Sequence, residues 1–180
     1  MAERKLTDEE RKILKEIARS AIERKLFGKS TKEINIPESL TEKRGAFVTL
    51  KKGGELRGCI GYIRGYLPLH KTVEEVAVEA AFHDPRFPPL SKEEWKDIEL
   101  EISVLSPMRK IKTIEEIEVG KHGLYIEMQG ASGLLLPQVA LEYGWDRTEF
   151  LEHTCYKAGL PKDAWKSDKA NIYVFSAEVF

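Results

Sequence analysis

Residues 98–105, IELEISVL, place Ile98, Leu100, Ile102 and Val104 at every second position, with Glu99, Glu101 and Ser103 between them. A strand turns successive side chains to opposite faces, whereas a helix would scatter this pattern around its axis. The chain must therefore build a sheet with one face in a core and the other wetter. The remaining elements have to supply its neighbours and its cover.

Thr7 and Glu10 have the spacing of a capping box, and Ile13, Leu14, Ile17, Ala18, Ala21 and Ile22 continue at helical intervals up to a stop at Gly28. Residues 29–44 read as a polar connector. Residues 45–52 (GAFVTLKK) suit a strand, Gly53-Gly54 suits a tight turn, and residues 55–62 suit its return partner. A second capping box at Thr72 and Glu75 predicts a helix with a small-residue face of Val73, Val76, Ala77, Ala80 and Ala81, stopped by Asp84-Pro85. Ser91 to Trp95 reads as a short helical turn. Leu124, Ile126 and Met128 repeat the strand alternation, residues 130–133 (GASG) read as a turn, and Leu134 to Leu136 lead into a helix begun by Pro137. A further helix is expected after Asp146, with Phe150, Leu151, Cys155 and Ala158 inward and Gly159 as its stop, and residues 172–180 (IYVFSAEVF) read as a last strand. Hairpins and helices mix without a βαβ repeat, which predicts an α+β fold: a mainly antiparallel or mixed sheet flanked by helices, with a smaller second lobe. At 180 residues the chain is read as one domain over residues 1–180, with room for two subdomains.

Lys plus Arg number 29 against 30 for Asp plus Glu, so no overall field draws the chain to nucleic acid or to an anionic membrane. The N-terminal residues lack the apolar core of a secretory signal and no run is long enough to span a bilayer, so a cytoplasmic location is expected. Abundant Lys and Glu beside only two Asn and two Gln lean toward a thermophilic source. Cys59 and Cys155 form no metal-ligand spacing, and His70, His83, His122 and His153 have none either. With no dinucleotide fingerprint or phosphate loop, neither a metal nor a cofactor is expected.

The stretch LRGCIGY, residues 56–62, is the main candidate for function. Strand alternation groups Arg57, Cys59, Gly61 and Ile63 on one face and Leu56, Gly58, Ile60 and Tyr62 on the other. A guanidinium beside a thiol favours the reactive thiolate, and a glycine beside it leaves room for a ligand or a partner backbone. Buried thiols that only pack are common, so both readings stay open. The loop of His83, Asp84, Arg86 and Phe87 offers an imidazole, a carboxylate, a guanidinium and a ring just past a helix. Glu101 joins the candidate set because, if its strand neighbours residues 56–62, it reaches Arg57. On the catalytic reading Cys59 is a nucleophile or redox thiol, Arg57 activates it, and His83 or His153 serves as base. On the binding reading Gly58, Gly61, Asp84, Arg86, Phe87 and Glu101 meet a ligand or partner.

LRGCIGY resembles the signature of the AMMECR family, and further matches follow in order: HDPRF at 83–87, ISVLSP at 102–107, GLLLPQVA at 133–140 and FLEHTCYKAGLP at 150–161. The resemblance spans nearly all of the chain after the first helix. It implies an archaeal or bacterial member of a family of intracellular α+β proteins, with a main sheet, flanking helices and a smaller lobe. It also implies that LRGCIG is the functional core, although no catalytic activity is attached to the family. The partners it implies are a Memo-like protein and a radical S-adenosylmethionine protein.

Overall fold

The computed structural model describes residues 4–28 and 33–180. Helix α1, Asp8–Phe27, begins at the predicted capping box: Thr7 Oγ1 accepts the Glu10 amide, and Glu10 accepts the amide of Thr7. It ends on Gly28 in the left-handed conformation. Strands β1 (Ala46–Lys52) and β2 (Glu55–Tyr62) form the expected hairpin around Gly53 and Gly54, whose φ values of 59° and 81° suit glycine. Helix α2, Leu69–Phe82, starts a turn earlier than the Thr72 capping box predicts. Thr72 is buried within the helix, and its hydroxyl donates to the carbonyls of Leu67 and Arg44. Strand β3 (Ile98–Leu105) follows a short 3-10 turn at Trp95–Asp97.

After β3 come the two-residue strand β4 (Arg109–Lys110), which sequence periodicity does not signal, then β5 (Gly123–Met128) and β6 (Ala131–Leu135). The turn between β5 and β6 is Gln129-Gly130, both at positive φ, so Ser132 and Gly133 lie in the strand rather than in the turn expected there. Gly133 is needed because an added Cβ would stand 2.5 Å from the Ala158 nitrogen. Helix α3 (Pro137–Tyr143) carries its proline in the first turn, and α4 (Arg147–Lys157) opens on a capping box between Asp146 and Glu149. The expected last strand is two strands, β7 (Asn171–Phe175) and β8 (Ala177–Val179), which belong to different sheets.

Among the described residues these elements form two antiparallel four-stranded sheets and four α-helices, an α+β fold. The chain divides into two compact units, Met1–Leu105 with Glu178–Phe180, and Ser106–Ala177. In the first unit the strand order is β2-β1-β3-β8, with α2 packed on β1 and β2 and α1 packed on α2 and β3. Its core joins Leu14, Ile17 and Ile22 of α1, Val73, Val76 and Ala77 of α2, and Val48, Leu50, Ile102 and Val104 of the sheet. In the second unit the order is β4-β7-β5-β6, and Phe150, Leu151 and Cys155 of α4 pack with Leu124, Ile126, Ile172 and Val174.

Candidate functional site

Counting back from the Gly53-Gly54 turn, a regular hairpin would set Cys59 opposite Val48. The observed register is Lys51 to Leu56 and then Leu50 to Gly58, so Arg57 is an extra residue, a β-bulge in β2. Beyond it Cys59 stands opposite Thr49, and Thr49 stands opposite Glu101 on β3. Opposed residues point to the same face, so the bulge puts the thiol in a polar row instead of in the core beside Val48. Leu56, grouped by alternation with Gly58, instead lies opposite Lys51 and is 45% exposed.

The two glycines do different work. Gly58 faces α2, where an added Cβ would be 2.2 Å from the Ala80 carbonyl oxygen, so the helix rests directly on strand backbone. At Gly61 the space open in the sequence reading is filled: a Cβ would meet the Phe47 ring at 2.3 Å. The ring of Phe47, rather than a gap, lies beside that glycine.

Cys59 is half-buried, and its Sγ accepts a hydrogen bond from Thr49 Oγ1 at 3.1 Å. Its strand is at a sheet edge, where alternate residues turn their main-chain N–H and C=O away from β1, and Cys59 is one of these. Side chains of the 84–87 loop satisfy both. Asp84 Oδ2 accepts the Cys59 N–H at 3.0 Å, and Arg86 Nη2 donates to the Cys59 carbonyl at 3.3 Å. Asp84 and Arg86 are themselves joined by two parallel bonds of 3.0 and 2.8 Å, and Asp84 Oδ1 also accepts the Arg86 amide. This pair does what a neighbouring strand would do for the edge. Asp84 is only 3% exposed, yet the Arg86 guanidinium holds its carboxyl well below the usual range against the opposing effect of burial, and the two amides add to this. The Asp84 bond also raises Arg86, and the charge of Cys59 contributes in the same direction.

Arg57 does not play the part expected of it. Its Nε and Nη2 donate to the two carboxylate oxygens of Glu94 at 3.1 Å each, and Nη2 donates to the Pro88 carbonyl at 2.9 Å. Arg57 holds Glu94 down to about 2, against burial, with help from the Ser91 amide and Lys52. Phe87 lies under both guanidinium groups, 5.8 Å from Arg57 and 5.5 Å from Arg86. Of the two guanidinium groups, Arg86 is the one that bonds Cys59, through its main-chain carbonyl. Glu101 pairs with Lys51 at 2.9 Å, because β3 neighbours β1 and not β2. His83 turns back to Glu79 on its own helix, Nδ1 to Oε1 3.0 Å, and among the described residues no hydrogen bond joins it to Cys59. His153 belongs to the second unit, stacked on Trp145. Cys155 is fully buried and burial pushes its thiol up.

The structure therefore brings Cys59, Asp84 and Arg86 together, keeps Arg57 and Phe87 beside them, and gives His83 and Glu101 other partners. Thr49 and Glu94 were missed. The Ser91-to-Glu94 spacing marked a helical turn, but the reach of Glu94 to Arg57 crosses 37 residues of chain. Among the described residues no group of three or more His, Cys, Asp or Glu side chains could hold a metal ion. No helix there is long and apolar enough to cross a membrane.

An α+β protein of two sheets, with a half-buried thiol pinned at a sheet edge by an Asp-Arg clamp, is the class that fold and site define. The chain belongs to the AMMECR1 family, whose model matches residues 15–180. It is similar to Protein MK0488 of Methanopyrus kandleri, with 48% identity over 98% of this chain and 90% of that one. A protein of Aquifex aeolicus is 51% identical over 83% of this chain and 82% of its own length. The crystal structure of the uncharacterized protein PH0010 from Pyrococcus horikoshii matches with a TM-score of 0.87 and 42% identity, covering 97% of this chain and 92% of that one.

Proposed function

We propose that the protein is a thiol-dependent enzyme acting through Cys59. The observation that supports this reading best is the fixation of Cys59 at three points: Thr49 at the sulfur, Asp84 at the amide and Arg86 at the carbonyl, with the side chain still half-exposed. A nucleophile needs a set position and a donor at the attacking atom, and this arrangement offers both. In this reading the Cys59 thiol gives its proton to solvent, its sulfur attacks an electrophilic carbon, an S–C bond forms as the bond to the leaving group breaks, and the leaving group departs with that electron pair and takes a proton from solvent. Thr49 donates to the sulfur, and Asp84 and Arg86 are positioning residues that hold the Cys59 backbone. The test is alkylation by iodoacetamide followed by mass spectrometry, with Cys59→Ser and Cys155→Ser as controls. Cys59 should label faster in the native protein than in the urea-unfolded chain. Labelling of Cys59 only after unfolding would sink the reading.

The exposure of Arg86 in the loop that covers the β2 edge favours a second reading, in which the 84–87 loop receives a protein partner. The candidates are the Memo-like and radical S-adenosylmethionine proteins that the family resemblance implies. Light scattering of the mixed proteins at micromolar concentration checks it, and the absence of any complex counts against those pairs.

A further inference from the structure

The second unit carries an aromatic column remote in sequence from the thiol. Tyr143, the last residue of α3, stacks on Trp145 at 4.8 Å and 14° between planes. Trp145 stacks on His153 of α4 at 3.8 Å and 4°, and Tyr156, one turn further along α4, meets His153 edge-on at 5.8 Å. Trp145 and His153 are half-buried, but the two ends of the column stand in solvent, Tyr143 at 69% and Tyr156 at 56% exposure. Leu141, 62% exposed, lies on the same short helix. Two of the most exposed large apolar side chains among the described residues, Tyr143 and Tyr156, are thus joined by one column of rings, and an apolar cluster of this kind marks a contact surface more often than isolated exposed residues do.

Charge decides which partner suits the corner. Residues 141–157 hold four carboxylates, Glu142, Asp146, Glu149 and Glu152, against two cations, Arg147 and Lys157. Glu152 precedes Tyr156 by four residues and shares its helix face, while the Glu149 carboxylate turns back to the Asp146 amide at 2.9 Å. Among the described residues Glu142, Glu149 and Glu152 form no ion pair, while Arg147 is tied through Nε to the Ile117 carbonyl at 3.1 Å. Phosphates are repelled by such a rim, and a second copy would bring the same negative charge against it. Aromatic rings with carboxylates beside them suit a planar cation, which stacks on a ring face while its N–H groups reach the carboxylates. We infer that the α3–α4 corner is a docking site for an arginine-bearing segment of a partner protein, with a guanidinium stacked on the free face of Tyr143.

The test uses the full chain and fluorescence anisotropy of labelled hexa-arginine, with hexa-lysine, hexa-glutamate and a single-stranded oligonucleotide as comparisons. Hexa-arginine should bind saturably and more tightly than hexa-lysine, and hexa-glutamate should not bind. Tyr143→Ala should weaken hexa-arginine by about threefold, the scale of one cation–π contact at an exposed ring. Tyr143 is exposed enough for that variant to fold, which circular dichroism checks, and Glu142→Gln with Glu152→Gln should weaken binding and flatten its salt dependence. Equal binding of the lysine and arginine peptides with no effect of Tyr143→Ala would reduce the surface to diffuse charge and overturn the inference. So would the absence of saturation, oligonucleotide binding that depends on Tyr143, or self-association that Tyr143→Ala abolishes.

Discussion

Asp84 Oδ2 accepts the main-chain N–H of Cys59 at 3.0 Å, so a buried carboxylate 25 residues along the chain fixes the backbone at the thiol. Asp84→Asn keeps the shape but loses the charge and turns a donor toward donors. It should cost about 2 kcal/mol, the range for hydrogen bonds to a charged group. Arg86→Met should cost more, about 3 kcal/mol, because it strands a buried carboxylate without its counter-charge. Urea unfolding at neutral pH compares the two. In Arg86→Met the loss should shrink as the pH falls and Asp84 takes up a proton.

Acid should unfold the protein through identifiable carboxylates. Glu94 sits at about 2 because Arg57 bonds it; Glu10 sits at about 2 although burial opposes it, because Ser39, the Thr7 amide and Arg4 outweigh that opposition. Both are depressed from 4.5, so their stabilisation is fully present above pH 4.5 and is lost as the pH falls through about 2. Asp84 adds to the same slope from its own depressed position. Thermal unfolding between pH 7 and pH 2 should show a steep fall below the carboxylate range, and Glu94→Gln should make that fall shallower.

Gly58→Ala should be strongly destabilising, because the new methyl would meet the Ala80 carbonyl at 2.2 Å and neither backbone can yield cheaply. A cost of about 3 kcal/mol is expected, the upper range for overpacking. Gly53→Ala, where nothing lies within 4 Å but φ is 59°, should cost only about 1 kcal/mol of backbone strain. Urea midpoints for the two variants separate steric from conformational demand.

Thr49→Val preserves volume and removes the hydroxyl that donates to the Cys59 sulfur. If the sulfur acts as a nucleophile, alkylation at neutral pH should slow by about tenfold, equivalent to one modest hydrogen bond lost from a charged acceptor. Unchanged labelling would remove Thr49 from the site.

Local signals carried most of the fold. The Thr7 capping box, the Gly53-Gly54 turn, the alternation of residues 98–105, Pro137 and the helix start after Asp146 each mark an element where the structure has one. Failures occur where a tertiary contact overrides a local rule: Thr72 is drawn into the helix by the carbonyls of Leu67 and Arg44, and Gly133 serves a close approach to α4 instead of a turn. At the site, Cys59, Asp84 and Arg86 could be named from sequence, but their arrangement could not. One unpaired residue, Arg57, decides which face of the sheet the thiol occupies, and a bulge leaves no periodic trace. The partner of Arg57 was equally hidden, because Glu94 reaches it from a different part of the chain.

Strand β8 lies beside β3, where Ile102 and Phe180 exchange N–H to C=O bonds of 2.8 and 3.0 Å, yet all of the second unit intervenes in the chain. Glu178 also accepts the Leu6 amide, and Phe180 packs against the first core. On the ribosome the nascent chain therefore emits three strands of the first sheet, then a whole second unit, before the strand that closes the first becomes available. Residues 106–177 have time to form their own sheet, while β3 waits with an open edge that a chaperone or a neighbouring nascent chain can reach.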